Sequence, residues 1–383
     1  MKITGYRTLS TRHHWLRAVG DVNGHIEDAV TEVPILILET DEGLEGVGIG
    51  SHADLERLIP AILGEDPRAV PALFDRMLAA VFKSGHAGAT YGGVATIDAA
   101  LWDIKAKIAG EPLWRLLGGR DRFIPAYASG LDIALSDDEI ATFYGAFAER
   151  GYVAGKLKGG LDPDADLRRL RVLADVLSRN TSKPGLMLDA NESWQVKQAV
   201  RYVSALEEQL DLLWVEEPLR RWDAVGHARL SAGIRTAVAT GENLTGVEQF
   251  RPLFDAGAPD IVQAGAVWGV THMLRLATVA AARDLPISPV GYNANPAVAA
   301  AMTAVPNHLT TEVQALEFAP GVIVDHEFAD GGIVIGDEPG AGIRIDESAI
   351  QLASATDGWR NPAGPHHRPQ RAGLRVVLDG VER

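Results

Sequence analysis

The chain contains no cysteine. Disulfides, thiolate nucleophiles and cysteine zinc sites are therefore excluded. Long hydrophobic runs are also missing. Stretches such as Val33-Pro34-Ile35-Leu36-Ile37-Leu38 fall far short of the roughly 18 residues that a membrane helix needs. Nor is there a basic excess: 36 Lys plus Arg face 51 Asp plus Glu, a formal charge of −15. That argues against a phosphate-backbone binder, so no nucleic-acid partner is expected. An anionic small molecule stays admissible, because a few local cations reverse the sign inside a pocket. The opening Met1-Lys2-Ile3-Thr4 has no basic segment leading into an apolar stretch. No signal peptide is read, and a cytoplasmic location without membrane contact is the default expectation.

What is present is the balance of a globular protein: 383 residues, 46% hydrophobic and 23% charged. At about 150 residues per domain, this length implies one large domain and a smaller one. Val33 to Thr40 reads as a strand, Asp41-Glu42-Gly43 as a turn and Leu44 to Ile49 as the return strand. From Asp54 to Leu117 the pattern turns helical, with Ile97, Leu101, Ile104 and Ile108 on one face. Strand candidates then recur near Ala126, Val153, Leu186, Leu213, Ala237, Ile261, Ile287 and Thr311. Helical stretches such as Asp164 to Ser178, Trp194 to Glu208 and Thr271 to Arg283 lie between them. This alternation implies a parallel sheet, and eight units predict an α/β fold closed into a (β/α)8-type barrel. An open doubly wound sheet is the alternative, disfavoured because no glycine-rich dinucleotide turn follows the first strand.

In a parallel barrel, chemistry collects at the C-terminal ends of the strands. The third strand ends at Asp189, the fourth at Glu216 and the fifth at Glu242, intervals of 27 and 26 residues. Adjacent strands lie about 4.8 Å apart, so the three carboxylates can converge on one point. Clustered anions repel unless a cation lies between them. Oxygen ligands without His or Cys select a hard ion, most simply Mg²⁺. A single strand-end acid would instead be a helix cap; three in succession favour the metal. The second strand ends Gly155-Lys156-Leu157-Lys158, and residues two apart share a face of a strand. Lys156 and Lys158 then both point inward, and Lys158, its pKa lowered by burial and by its neighbour, is expected to act as a neutral general base. These parts describe one reaction: a metal grips a carboxylate, lysine removes the adjacent proton, and the enediolate is stabilised.

With these motifs on the page, the sequence resembles the enolase superfamily, within it the mandelate racemase/muconate-lactonizing group. The resemblance rests on Ile97-Asp98-Ala99-Ala100-Leu101-Trp102-Asp103-Ile104-Lys105, the Lys-x-Lys strand, Asp189-x-Asn191, Glu216-Glu217-Pro218 and Gly241-Glu242-Asn243. It implies an N-terminal α+β capping domain over 1–120 with a substrate-closing loop. A (β/α)7β-type TIM barrel carrying the active site would follow over 121–320, and a segment returning to the cap over 321–383. It implies Asp189, Glu216 and Glu242 as metal ligands, Lys158 as base, Lys156 as the residue that tunes it, and Glu312 as a hydrogen-bond partner of the substrate carboxylate. A small carboxylate substrate and a symmetric homo-oligomer are expected with it.

Two departures bear on the reaction. Gly265 ends the sixth strand where the family carries a catalytic Asp or Lys, and Val290 ends the seventh where racemase-like members carry His. His272, seven residues past Gly265, is no obvious substitute. With no base on the second face, the resemblance favours syn dehydration of an acid sugar, and Gly358-Trp359-Arg360-Asn361-Pro362 with His366 is similar to the tail of such dehydratases. An epimerase, racemase or cycloisomerase with a loop-borne partner is one alternative; a non-catalytic carboxylate-binding relative is another. Asn191, Tyr292 and His25 are candidates for substrate contact, with His13 and His14 placed in the closing loop near His25, and a packing or gating role favoured for Tyr292.

Overall fold

A computed structural model describes residues 1–357. Its first layer is built from β1 (Ile3–His14), a small hairpin of β2 (Val19–Asp21) and β3 (Gly24–Ile26), β4 (Val30–Thr40) and β5 (Glu45–Ile49). β1, β4 and β5 form an antiparallel sheet in that order. The turn between β4 and β5 needs Gly43, at φ 76°, a conformation that costs other residues. The glycines alternating in β5 have a packing reason. A Cβ at Gly46 or Gly48 would collide with the carbonyls of Ala100 and Thr96, so glycine lets the sheet lie directly on the helix Gly88–Ala109.

That helix is buried on nearly every side, because it lies between the sheet and the barrel helix Val270–Ala281. Two buried acids turn it into a fastener. Asp98 accepts from the Thr271 N–H at 2.8 Å and from its hydroxyl at 2.5 Å, and Trp102 Nε1 donates to the same Thr271 Oγ1 at 2.9 Å. Asp103 accepts from Val47 N (2.9 Å), Lys107 Nζ (2.7 Å) and Ala341 N (2.8 Å), joining sheet, helix and C-terminal segment.

Eight parallel strands follow: β6 (Phe123–Ser129), β7 (Ala154–Lys158), β8 (Gly185–Asp189), β9 (Leu212–Glu216), β10 (Ala237–Thr240), β11 (Ile261–Gly265), β12 (Ile287–Val290) and β13 (Thr311–Val313). They coincide with the eight candidates read from the sequence. Parallel strands need crossovers, and a helix follows each of β6 to β12. None follows β13 directly, which gives the (β/α)7β arrangement. β13 pairs with β6, and Ile287 N to Asn307 O and Leu309 N to Ile287 O, both 2.9 Å, close the remaining seam. Tyr127, Met187, Trp214, Ala239 and Ile261 plug the interior.

The segment after the barrel is more ordered than its irregular sequence predicts. β14 (Val322–Val324) pairs with β17 (Ile343–Ile345), and β15 (His326–Ala329) with β16 (Gly332–Ile335), which adds antiparallel to β6. These strands are three or four residues long, too short for a periodic signal. A helix, Glu347–Asp357, ends the described chain. The tail motif from Gly358 to His366 lies outside the described residues. Among the described residues no helix is long and apolar enough to cross a membrane.

Candidate active site

Parallel register builds the site. Lys158 pairs with Asp189, and Asp189 with Glu216, in one row across β7, β8 and β9. Glu216 pairs with Ala239 on β10, three residues before Glu242. All four side chains thus emerge at one end of the barrel, together with Glu312 on β13. Lys156, wholly buried, donates to Glu216, lies 2.8 Å from Glu312 Oε1 and 3.5 Å from Asp189 Oδ2. Lys158 donates to Asp189. The aromatic plug floors the cluster: the Lys156 ammonium sits 5.5 Å from the Tyr127 ring centre, and Trp214 Nε1 donates to Glu216 Oε2 at 3.0 Å. Gln263 Nε2 donates to the same oxygen at 2.6 Å.

The electrostatics bear on the expected base. Burial pulls the Lys158 pKa down, but attraction by Asp189, then Glu242 and Glu312, outweighs it and holds the ammonium above the ordinary lysine value. In this arrangement the carboxylates overwhelm the single repulsive neighbour, Lys156, and favour the ammonium. The acids divide. Asp189 and Glu312 are buried, yet the lysines hold both below the usual range. Glu216 is pushed up to about 8 by burial, against the pull of Lys156, with Asp189, Glu242 and Glu312 repelling it. Burial likewise raises Glu242.

The same arrangement bears on the expected metal ligands. Among the described residues no three carboxylate or imidazole groups are arranged as a ready coordination set; the two ammonium groups occupy the space between the acids instead. The donor chemistry nevertheless fits a hard divalent cation. All three expected donors are carboxylates; burial first, and then repulsion by neighbouring acids, raises Glu216 and Glu242, and such an ion offsets that repulsion. Glu217 adds to that repulsion. It was read only as part of a motif, yet it is buried, with its pKa driven well up by burial and then by Glu242 and Asp189. It is left-handed at φ 39° and takes Asn243 Nδ2 at 2.9 Å. Its signal in the sequence was the adjacent pair Glu216-Glu217.

Sequence reasoning also missed the clamp behind Lys158. Asp132 Oδ1 accepts from the Lys158 N–H at 3.0 Å. Arg169 donates to the Lys158 carbonyl at 2.7 Å and to Asp132 Oδ1 at 3.0 Å. Asp166 takes Arg169 (3.2 Å), Gly160 N (2.6 Å) and the Tyr202 hydroxyl (2.7 Å). The Tyr144 hydroxyl lies 2.5 Å from both Asp132 Oδ2 and the Lys156 carbonyl; its one proton serves either. Both ends of the Lys158 peptide are therefore fixed by buried, charged groups.

The remaining candidates scatter. Asn191, left-handed at φ 42°, donates its N–H to Asp189 Oδ1 at 2.9 Å and accepts from Asn23 Nδ2 at 3.2 Å, so it orients an acid and seats the β2–β3 hairpin. Tyr292 is turned away from the site: its hydroxyl meets His326 Nδ1 at 2.6 Å and its ring packs on Phe318 and Phe328. Its role is packing. His25 lies on β3, with Nε2 3.6 Å from Glu27 Oε1. His13 and His14 end β1 rather than lying in a loop. His272 is buried against Tyr91 and Phe250 and is no substitute for the missing acid.

The space for a side chain at the end of the sixth strand is filled. A Cβ at Gly265 would come within 2.9 Å of Trp268 Nε1 and 3.0 Å of the Glu242 carbonyl, and Trp268 Nε1 is tied to that carbonyl at 2.6 Å. The indole takes the room a side chain at 265 would need, and Val290 is buried beside it on β12.

Comparison with known proteins agrees with this architecture. Residues 28–118 match the mandelate racemase/muconate lactonizing enzyme N-terminal domain, and residues 139–349 the enolase C-terminal domain-like family. The L-talarate/galactarate dehydratase of Salmonella typhimurium is 34% identical over 275 residues, 68% of each chain. The 3,6-anhydro-alpha-L-galactonate cycloisomerase of Streptomyces coelicolor is 30% identical, covering 79% of this chain and 82% of its own. The solved L-talarate dehydratase of Polaromonas sp. JS666, complexed with Mg and L-glucarate, superposes with a TM-score of 0.79 at 27% identity, over 91% of this chain and 96% of that one. With both domain matches in their expected order on this cap and barrel, the chain belongs to the mandelate racemase/muconate-lactonizing group of the enolase superfamily.

Proposed function

We propose that this chain is a magnesium-dependent lyase that dehydrates an acid sugar from one face, with Asp189, Glu216 and Glu242 as the residues that hold the ion. When bound, the ion supplies positive charge that offsets these three acids and the charge building on the substrate carboxylate. With these three acids so offset, Glu312 alone still favours the Lys158 ammonium, while burial and the Lys156 cation favour the amine. Lys158 then takes the proton from the carbon next to the carboxylate. The electrons of that C–H bond form a carbon–carbon double bond as the hydroxyl on the next carbon departs, and the proton on Lys158 completes the water. The enol that remains becomes a keto acid. Lys156 balances charge at the buried acids, and Glu312, an anion here, holds Lys156.

The observation that supports this reading best is the asymmetry of the site: a clamped lysine on one side, and on the other an indole in place of a second base. Inverting a stereocentre needs a base on each face; syn elimination needs one. The similarity to a cycloisomerase favours a second reading, which shares the proton abstraction but conserves mass. Incubating acid sugars with the enzyme and Mg²⁺ in deuterated water separates them. Keto acid with loss of one water supports dehydration. Inverted, deuterated substrate without water loss overturns it, as does undiminished turnover by Lys158→Ala.

A further inference from the structure

We propose, resting on the reading above, that the substrate is a monocarboxylic hydroxy acid whose far end is uncharged and largely apolar, rather than a dicarboxylic sugar acid. A cavity of about 130 Å³ lies between the cap sheet and the barrel mouth. On the barrel side it begins just past the ends of β11, β12 and β13, at Val267, Asn293 and Gln314. It adjoins the catalytic cluster, because Gln314 Nε2 lies 3.2 Å from Glu312 Oε2. Its volume corresponds to about four water-sized groups, room for the tail of a substrate whose carboxylate is held by the lysine end of the site.

The lining decides what that tail is. Trp15, Val33 and Ile49 from the cap face Phe318, Val267 and Ala315. Two of the polar wall groups, Asn293 and Thr31, are already engaged. Asn293 Oδ1 accepts from Gln314 N and Ala315 N, and its Nδ2 donates to the Ala315 carbonyl. Thr31 Oγ1 takes Trp15 Nε1 at 2.8 Å. A hydroxyl-rich tail would find few partners there, and desolvating it without them is unfavourable. Among the described residues no lysine or arginine lines the cavity. Its ionisable residues are Glu32, Glu317 and His13, and burial lowers the His13 pKa, so that ring is neutral. Arg17, on the same connection, does not line the cavity: it donates to the carbonyls of Ala18 and Gly130 and stacks on Phe143. Glu32 and Glu317 are exposed at the edge of the cavity, with Arg12 opposite Glu32 in the β1–β4 register, so a second carboxylate would meet two like charges and no cation among the described lining residues, which discriminates against diacids chiefly by lost pairing and adds a screened repulsion.

The test is a matched series that differs only at the terminal carbon: methyl, hydroxymethyl or carboxylate, in each configuration that the enzyme accepts. Turnover and calorimetric binding are measured for each. The methyl and hydroxymethyl acids are expected to be turned over, the methyl acid at least as well. The diacid is expected to fall about 100-fold or more in kcat/KM and to bind correspondingly weakly. Glu317→Lys is expected to narrow the diacid gap by about tenfold. A diacid handled equally or better, or a ratio unmoved by Glu317→Lys, overturns the inference and leaves the lyase reading standing. If no hydroxy acid of any terminus is turned over, the lyase reading falls and this inference with it.

Discussion

Replacing Arg169 with methionine tests whether the clamp behind Lys158 positions it. Arg169 is almost fully buried and spans Asp132, Asp166 and the Lys158 carbonyl. Methionine keeps the length of the chain but strands two buried carboxylates. Breaking such a network by removing one partner costs about 3–5 kcal/mol. At about 2.1 cal/mol/K per residue, a chain of 383 residues that unfolds as one unit has an unfolding entropy of about 0.8 kcal/mol/K. The Tm should therefore drop by about 4–6 °C. The activity effect is separate. Arg169 and Asp132 hold both ends of the Lys158 peptide, and a shift of about 1 Å at a reacting group can cost about 100-fold. Scanning calorimetry and kcat on an accepted acid sugar read the two effects independently. A Tm within a degree of the parent refutes the energetic argument. A lowered Tm with unchanged kcat shows that the network supports the barrel but does not position the lysine.

Three further outcomes follow from the site and its supports. Magnesium at about a hundred times its dissociation constant should stabilise the protein by about 2.7 kcal/mol, about 3 °C in Tm; a chelator should reverse both this and activity, and Asp189→Ala should abolish the shift. Gly265→Ala should destabilise by about 1–3 kcal/mol through overpacking, and Trp268→Ala in the same chain should relieve part of that cost; two additive penalties in denaturant melts would show that the indole is not the obstacle. Burial raises Asp98 from 3.8 to about 6. The folded state therefore binds this proton more tightly than the unfolded one, and the stability it contributes is present at low pH and lost as pH rises from about 4 to about 6. Asp98→Asn should flatten the stability profile across that window, and an unchanged slope would sink the assignment.

Much of this was legible in the sequence because it is local or periodic. Barrel strands return at regular intervals, so all eight were readable. Asp189, Glu216 and Glu242 each terminate or closely follow a strand, so one spacing argument found them together. The Lys-x-Lys repeat fixed the inward direction of both lysines. The misses depend on partners far apart in the chain. Arg169 lies 37 residues from Asp132, on a helix where its charge reads as surface. Tyr292 turns toward His326, 34 residues later, on a strand too short to detect. The protonation of Lys158 depends on a sum over several carboxylates, and the sequence fixes their number but not their approach. That Trp268 fills the space at Gly265 is a matter of volume, which no pattern of residue types encodes.

The attachment of cap to barrel has a consequence for traffic. The long helix is bolted down by Asp98 and Trp102 on one buried threonine, so lifting the whole cap would strand an unpaired acid. The β2–β3 hairpin meets the barrel without such a buried acid, among its contacts Gly20 N on the Leu131 carbonyl and Asn23 on Asn191, with Val22 buried. Releasing those two bonds costs about 1–3 kcal/mol. A crosslink pinning this hairpin to the barrel tests whether molecules enter and leave beneath it: turnover should be throttled while the folded frame stays intact.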